Sequence, residues 1–182
     1  MLSAAALLLA LSASVAQAQS NGVSLGNVSA GVKSNVIVPL MLDLESEEVR
    51  VGRIIATVGY NSNIATFDRA EKGFLLDGVG GKFKATAKVS GENSEIQVEI
   101  LTEGEPRKPL RKGLTLSLIF KINENAELDT KMPLTLSNVQ ALTLSAGDAE
   151  PKPVQPLAVT AGMIEVLSPE NVPFVSCFFF TH

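Results

Sequence analysis

Tryptophan is absent from the 182 residues, and tyrosine, histidine and cysteine occur once each. Aromatic residues make up only 5% of a chain that is 46% hydrophobic. The lone histidine is the last residue, His182, which excludes a multi-histidine metal centre and leaves a nucleophilic triad without its base. The lone cysteine, Cys177, can form neither an internal disulfide nor a thiolate zinc site; in an exported protein it is a candidate intermolecular thiol. With 15 Lys+Arg against 19 Asp+Glu, the net charge of -4 lacks the basic excess that nucleic-acid phosphates require. Sugar-binding platforms and glycosidase clefts stack pyranose rings on Trp and Tyr, whereas here Tyr60, Phe74 and Phe83 could make only a small patch. Asp43, Asp68, Asp77 and Asp129 show no spacing that marks two of them as an acid–base pair. The composition therefore points away from an enzyme.

What is present begins with an address. Leu2 to Val15 is an apolar, small-residue run followed by Ala16-Gln17-Ala18, the pattern of a signal peptide over 1–18 cleaved before Gln19. No Lys or Arg precedes the run, and it is shorter than the roughly 20 residues that span a bilayer. Export to the extracellular space or cell surface, with no membrane span, is the expectation. At the other end, Ser168 to Pro173 reads as a linker and Phe174 to Phe180 as a short apolar tail, so the single domain is expected over 19–167 and the tail over 168–182.

The body of the chain alternates with a period of two, the signature of strands buried on one face. Val36, Val38, Leu40, Leu42 and Leu44 share a face, as do Ile54, Ala56, Val58 and Tyr60. Ile96, Val98 and Ile100 alternate with Gln97 and Glu99, and Leu114 to Ile122 repeats the pattern. Turn-forming clusters at 31–35, 61–63, 78–81, 90–94 and 104–109 separate these runs, and 147–156 reads as an exposed connection. No amphipathic stretch is long enough for a major helix. These features predict an antiparallel β-sandwich. Val36 to Leu44 and Leu118 to Phe120 are apolar on both faces, as expected of central strands whose outer face is covered or used in binding; the alternative is partial exposure of Met41 and Ile119.

Several blocks in order resemble the cohesin domain, the receptor module of bacterial cellulosome scaffolds. Val23 to Ala30 is similar to its opening strand, and Asn35-Val36-Ile37-Val38-Pro39-Leu40 to its V-x-V-P-V strand. Val51 to Asn61 resembles the strand that ends in a Tyr-Asp pair, here Tyr60-Asn61. Leu114 to Ile122, Leu134-Thr135-Leu136-Ser137-Asn138-Val139 and Gly162-Met163-Ile164-Glu165-Val166 resemble the later strands. The resemblance spans 22–167 and implies an all-β, nine-stranded antiparallel jelly-roll sandwich without catalysis. It also implies a dockerin as partner, a small module that folds around its own calcium. No D-x-D-x-D-G loop occurs in this chain, so no cofactor is expected and any calcium belongs to the partner.

The expected docking face is a partly apolar sheet surface carried by the strands of Ile54, Val58, Tyr60, Asn61, Phe83 and Gln97. The acidic cluster Glu45, Glu47, Glu48 and the basic cluster Arg107, Lys108, Arg111, Lys112 are solvated loops that could steer a charged partner. A role in polysaccharide degradation, direct polysaccharide binding and a surface-adhesin fragment complete the readings.

Overall fold

The computed structural model describes residues 20–144 and 150–171. The leader, Cys177 and the apolar tail lie outside the described residues. Among the described residues eleven strands form two sheets. They are β1 (Gly22–Leu25), β2 (Asn27–Gly31), β3 (Asn35–Asp43), β4 (Val51–Asn61), β5 (Ala65–Lys72), β6 (Lys82–Lys88), β7 (Asn93–Leu101), β8 (Gly113–Ile122), β9 (Thr130–Thr143), β10 (Ala158–Thr160) and β11 (Gly162–Leu167). One five-residue helix, α1 (Phe74–Gly78), packs against β8 and β5. The first sheet runs β10-β1-β3-β8-β5 and the second β2-β11-β9-β4-β7-β6.

Period-two burial builds the core. Val36, Val38, Leu40, Leu42 and Leu44 of β3 and its continuation are all buried, as are Ile54, Ala56, Val58 and Tyr60 of β4. Ile96, Val98 and Ile100 of β7 join them from the neighbouring strand, and Leu116, Leu118, Phe120 and Ile122 of β8 from the facing sheet. Phe120 is the aromatic centre: Tyr60 and Phe67 meet its ring edge-on at centroid distances of 5.3 and 5.7 Å. Edge-on packing sets the positive rim of one ring against the negative face of another.

Three expectations change. The strand count rises above nine because two segments each break where the chain changes sheets: the opening strand at Gly26, and the closing segment at Ala161. The sandwich is not wholly antiparallel either. β1 pairs with β10 in parallel in one sheet, and β2 pairs with β11 in parallel in the other, because the two ends of the domain run side by side in the same direction. Third, Ile119 is 3% exposed, whereas Ile37 is 57% exposed. Ile119 lies on a central strand between Ile37 and Arg69, which flank it in register on both sides.

The connection read as exposed is also partly structural. Thr143 donates its N–H to the Lys152 carbonyl at 2.8 Å, and Val154 donates to the Ala141 carbonyl at 2.8 Å. These bonds pin 152–154 to the end of β9 and bury Val154.

The crossing between sheets is tight. A Cβ on Gly162 would stand 2.6 Å from the Gly26 carbonyl oxygen and 2.7 Å from the Leu25 Cβ; one on Gly26 would meet the Pro39 ring at 2.5 Å. Because part of this environment is backbone, Gly162→Ala should cost about 1–3 kcal/mol, read from urea unfolding. The Ser94 hydroxyl, by contrast, is buried with no hydrogen-bond partner among the described residues. Ser94→Ala removes an unpaired polar group and should raise stability by about 1 kcal/mol in the same assay.

Candidate functional site

Strand pleat decides which side chains can meet a partner. On β4 the even-numbered residues from Ile54 to Tyr60 point into the core, so the odd-numbered ones point out. Ile54, Val58 and Tyr60 are therefore corrected from surface to core: all are at most 5% exposed. Phe83 alternates with outward lysines on β6 and packs its ring inward against the core. Gln97 does lie on the outer face, and Asn61 is half-buried at the end of β4. Tyr60, Phe83 and Phe74 form no shared patch, since the first two face inward and Phe74 stands 70% exposed on α1.

The outer face of the β9-β4-β7-β6 sheet is a set of cross-strand rows fixed by register. The central row is Thr86–Gln97–Thr57–Ser137. On one side runs Lys84–Glu99–Ile55–Gln140, followed by Lys82–Leu101–Arg53–Leu142. On the other runs Lys88–Glu95–Gly59–Thr135. The face is thus more polar than expected, with Ile55, Leu101 and Leu142 as its apolar contribution. Lysines occupy the free edge strand β6, where charge discourages edge-to-edge pairing.

Local interactions brace this surface and set its relief. Arg53 bonds Glu99 across the strand pair at 2.5 Å, and Lys82 bonds Glu103 at 2.6 Å. Gly59 has no side chain because the Thr135 hydroxyl occupies the place where one would stand. In β9 the ladder shifts between Ile55 and Thr57, and Asn138 takes a positive φ of 51° there. This bulge presents the Asn138 amide to the Thr57 hydroxyl at 3.5 Å. At the Arg53 end the face is bounded by a recess of about 360 Å³ that includes Arg107 and Pro151.

The two charged clusters, separated in sequence, touch through one pair, Arg111 and Glu47. These two lie 3.7 Å apart beside a second recess of about 360 Å³, which Glu45 and Lys112 also line, while Lys112 pairs at 3.0 Å with Asp43. Both side chains of the Arg111–Glu47 pair are largely exposed, so it adds little to stability. Asp43, Asp68, Asp77 and Asp129 stand on different elements: the end of β3, β5, α1 and the turn before β9. Arg69 bonds both Glu71, at 2.9 Å, and Asp68. These two carboxylates, Glu71 foremost, push the guanidinium pKa up. Among the described residues no group of three His, Cys, Asp or Glu side chains is placed to hold a metal ion, and no helix is long and apolar enough to cross a membrane.

Comparison of the fold defines the class. The third cohesin of the scaffoldin ScaC of Acetivibrio cellulolyticus, solved with the ScaB dockerin, superposes with a TM-score of 0.67 at 16% identity over 82% of this chain and 100% of that one. The cohesin CaCohA2 of Clostridium acetobutylicum gives 0.60 at 19% identity, over 82% of this chain and 92% of that one. A non-cellulosomal cohesin from the archaeon Archaeoglobus fulgidus gives 0.60 at 19% identity, over 82% and 93%. No family model matches the sequence, and no curated protein matches it either. The chain has the fold of cohesin domains.

Asn61, which stands in this sequence where the resembled strand ends in the Asp of a Tyr-Asp pair, has a local task. Its side-chain oxygen accepts the Asn63 N–H at 2.8 Å and its carbonyl accepts the Ile64 N–H at 3.1 Å, closing the β4–β5 turn. A carboxylate can accept the same bond. Asn61→Asp should therefore leave the thermal midpoint nearly unchanged, while Asn61→Ala should lower stability by about 1 kcal/mol.

Proposed function

We propose that this chain is an exported, non-catalytic receptor module that captures a dockerin-type protein on the outer face of its β9-β4-β7-β6 sheet. The observation that carries this reading is the completeness of the fold match: the chain covers 92–100% of the cohesins named above. One of these was solved in complex with a dockerin. The geometry agrees. Among the described residues the outer face of this sheet is covered by no other element, whereas α1 packs on the opposite sheet's strands. Four register-locked rows give hydroxyl, amide and ionic groups at fixed positions, which is how a rigid surface gains specificity without a deep pocket.

Export follows from the leader pattern at 1–18, and an extracellular role beside polysaccharide-degrading enzymes follows from the usual setting of cellulosome scaffolds. The calcium of such a complex would be the partner's, since a dockerin folds around it.

Titration calorimetry with a calcium-loaded dockerin encoded in the same genome tests the reading. Gln97→Arg, at the centre of the Thr86–Gln97–Thr57–Ser137 row, should weaken binding by about tenfold or more without changing the thermal midpoint. Chelation of calcium should abolish binding. Capture that survives chelation, or that is indifferent to Gln97→Arg, would overturn the proposal.

A further inference from the structure

A broad, open concavity lies away from that face. It has a volume of about 950 Å³ and sits at one end of the sandwich, where the β2–β3, β4–β5 and β8–β9 connections converge. Loops gathered on a rigid scaffold are where binding residues are commonly placed. Here the loops are tied to one another. Lys33 donates its N–H to the Ile122 carbonyl at 3.0 Å, and Ile122 donates to the Ser34 carbonyl at 2.9 Å. Asn123 donates its N–H to the Ile64 carbonyl at 2.9 Å and its side-chain amide to the Ser62 carbonyl at 2.8 Å. Its side-chain oxygen accepts the Thr66 hydroxyl at 3.0 Å. The cavity walls are thus set before any ligand arrives, which lowers the ordering cost of binding.

The lining selects a class of ligand. Its charged side chains are Lys33, Lys121, Asp68 and Glu124, two of each sign, and Lys33 is paired with Glu124. Asp68 is paired with Arg69 just outside the cavity. An anion would meet Asp68 and Glu124, and a cation would meet the lysines, so neither sign is favoured. Asn63 and Asn125 contribute exposed carboxamides, each both donor and acceptor. Phe67 supplies the aromatic surface, its ring half-buried and braced edge-on against Phe120. Dense donors and acceptors of both kinds around one fixed ring, with cancelling charge, match a polyol.

We infer that this cavity binds a short stretch of neutral glycan, whose hydroxyls pair with the Asn63 and Asn125 amides while a pyranose C–H face lies on Phe67. The site is separate from the docking face, so one molecule could hold a protein and a polysaccharide together.

Affinity electrophoresis of the whole domain tests this, using mixed-linkage β-glucan, xylan, glucomannan and soluble starch, with polygalacturonate as the anionic comparison. Retardation by at least one of the four neutral glycans is expected. Asn63→Ala and Asn125→Ala should each weaken that retardation by about tenfold, the scale of a lost buried-ligand hydrogen bond. Both side chains are exposed, so far-UV circular dichroism and the melting midpoint should not move. Gln97→Arg should leave retardation unchanged, which separates failure of this inference from failure of the dockerin reading. Absence of retardation by all four neutral glycans, retardation by polygalacturonate alone, or retardation indifferent to both asparagine substitutions would overturn it.

Discussion

The two ends of the domain cross from one sheet to the other side by side, and the rest of the architecture depends on that crossing. β1 and β10 run parallel in the first sheet; one residue later, β2 and β11 run parallel in the second. The joint is possible because Gly162 lets its backbone approach the Gly26 carbonyl, and Gly26 lets Pro39 of β3 close over it. With both sheets tied along this corner, the inward residues of β3, β4, β7 and β8 face one another across a single core. The outward residues are then fixed with no further interaction needed, because a strand cannot turn one residue without turning all of them.

Register accounts for the contrast between the two surfaces discussed as sites. The groups on the outer face of the β9-β4-β7-β6 sheet lie in rows because neighbouring strands hold them opposite one another. An open polar face suits another folded protein, which can match many fixed groups at once. The loop-end cavity is concave and assembled from three connections whose hydrogen bonds cross between loops. Concavity concentrates a few groups around a small ligand. One sandwich therefore offers two recognition geometries at different places, one from its strands and one from its turns.

Much of this architecture was legible along the chain. The alternations in β3, β4 and β7 identified inward residues correctly, and that of β8 did so from Leu116 onward; Thr115, which the pattern set outward, is buried and donates its hydroxyl to the Leu40 carbonyl at 2.7 Å. The same alternation contradicted three of the expected contact residues: Ile54, Val58 and Tyr60 belong to the apolar half of the pattern that marks the core, and they are buried. The edge strand β6, Lys82-Phe83-Lys84-Ala85-Thr86-Ala87-Lys88, was placed only through Phe83 and with that ring facing outward, because its inward side is otherwise alanine and its periodicity correspondingly faint. β5, with Asp68 displaced into a register shift, was hidden for a related reason: the irregularity breaks the period that would reveal it. The loop-end cavity had no sequence signal, since Lys33, Asn63, Thr66 and Asn125 lie in separate turns and strand ends.

By itself, the order of residues determined that the described domain is built of strands, which side of the main strands is buried, and that histidine, cysteine and tryptophan chemistry plays no part in it. These are local properties: they depend on period and composition within a few neighbours. Only the tertiary structure decided that the two ends of the described domain pair in parallel, that Arg111 of the basic cluster stands beside Glu47 of the acidic one, and that three distant turns line one concavity. Those outcomes depend on which strands become neighbours, and neighbours in a sandwich are chosen by closure of the whole core, not by any segment within it.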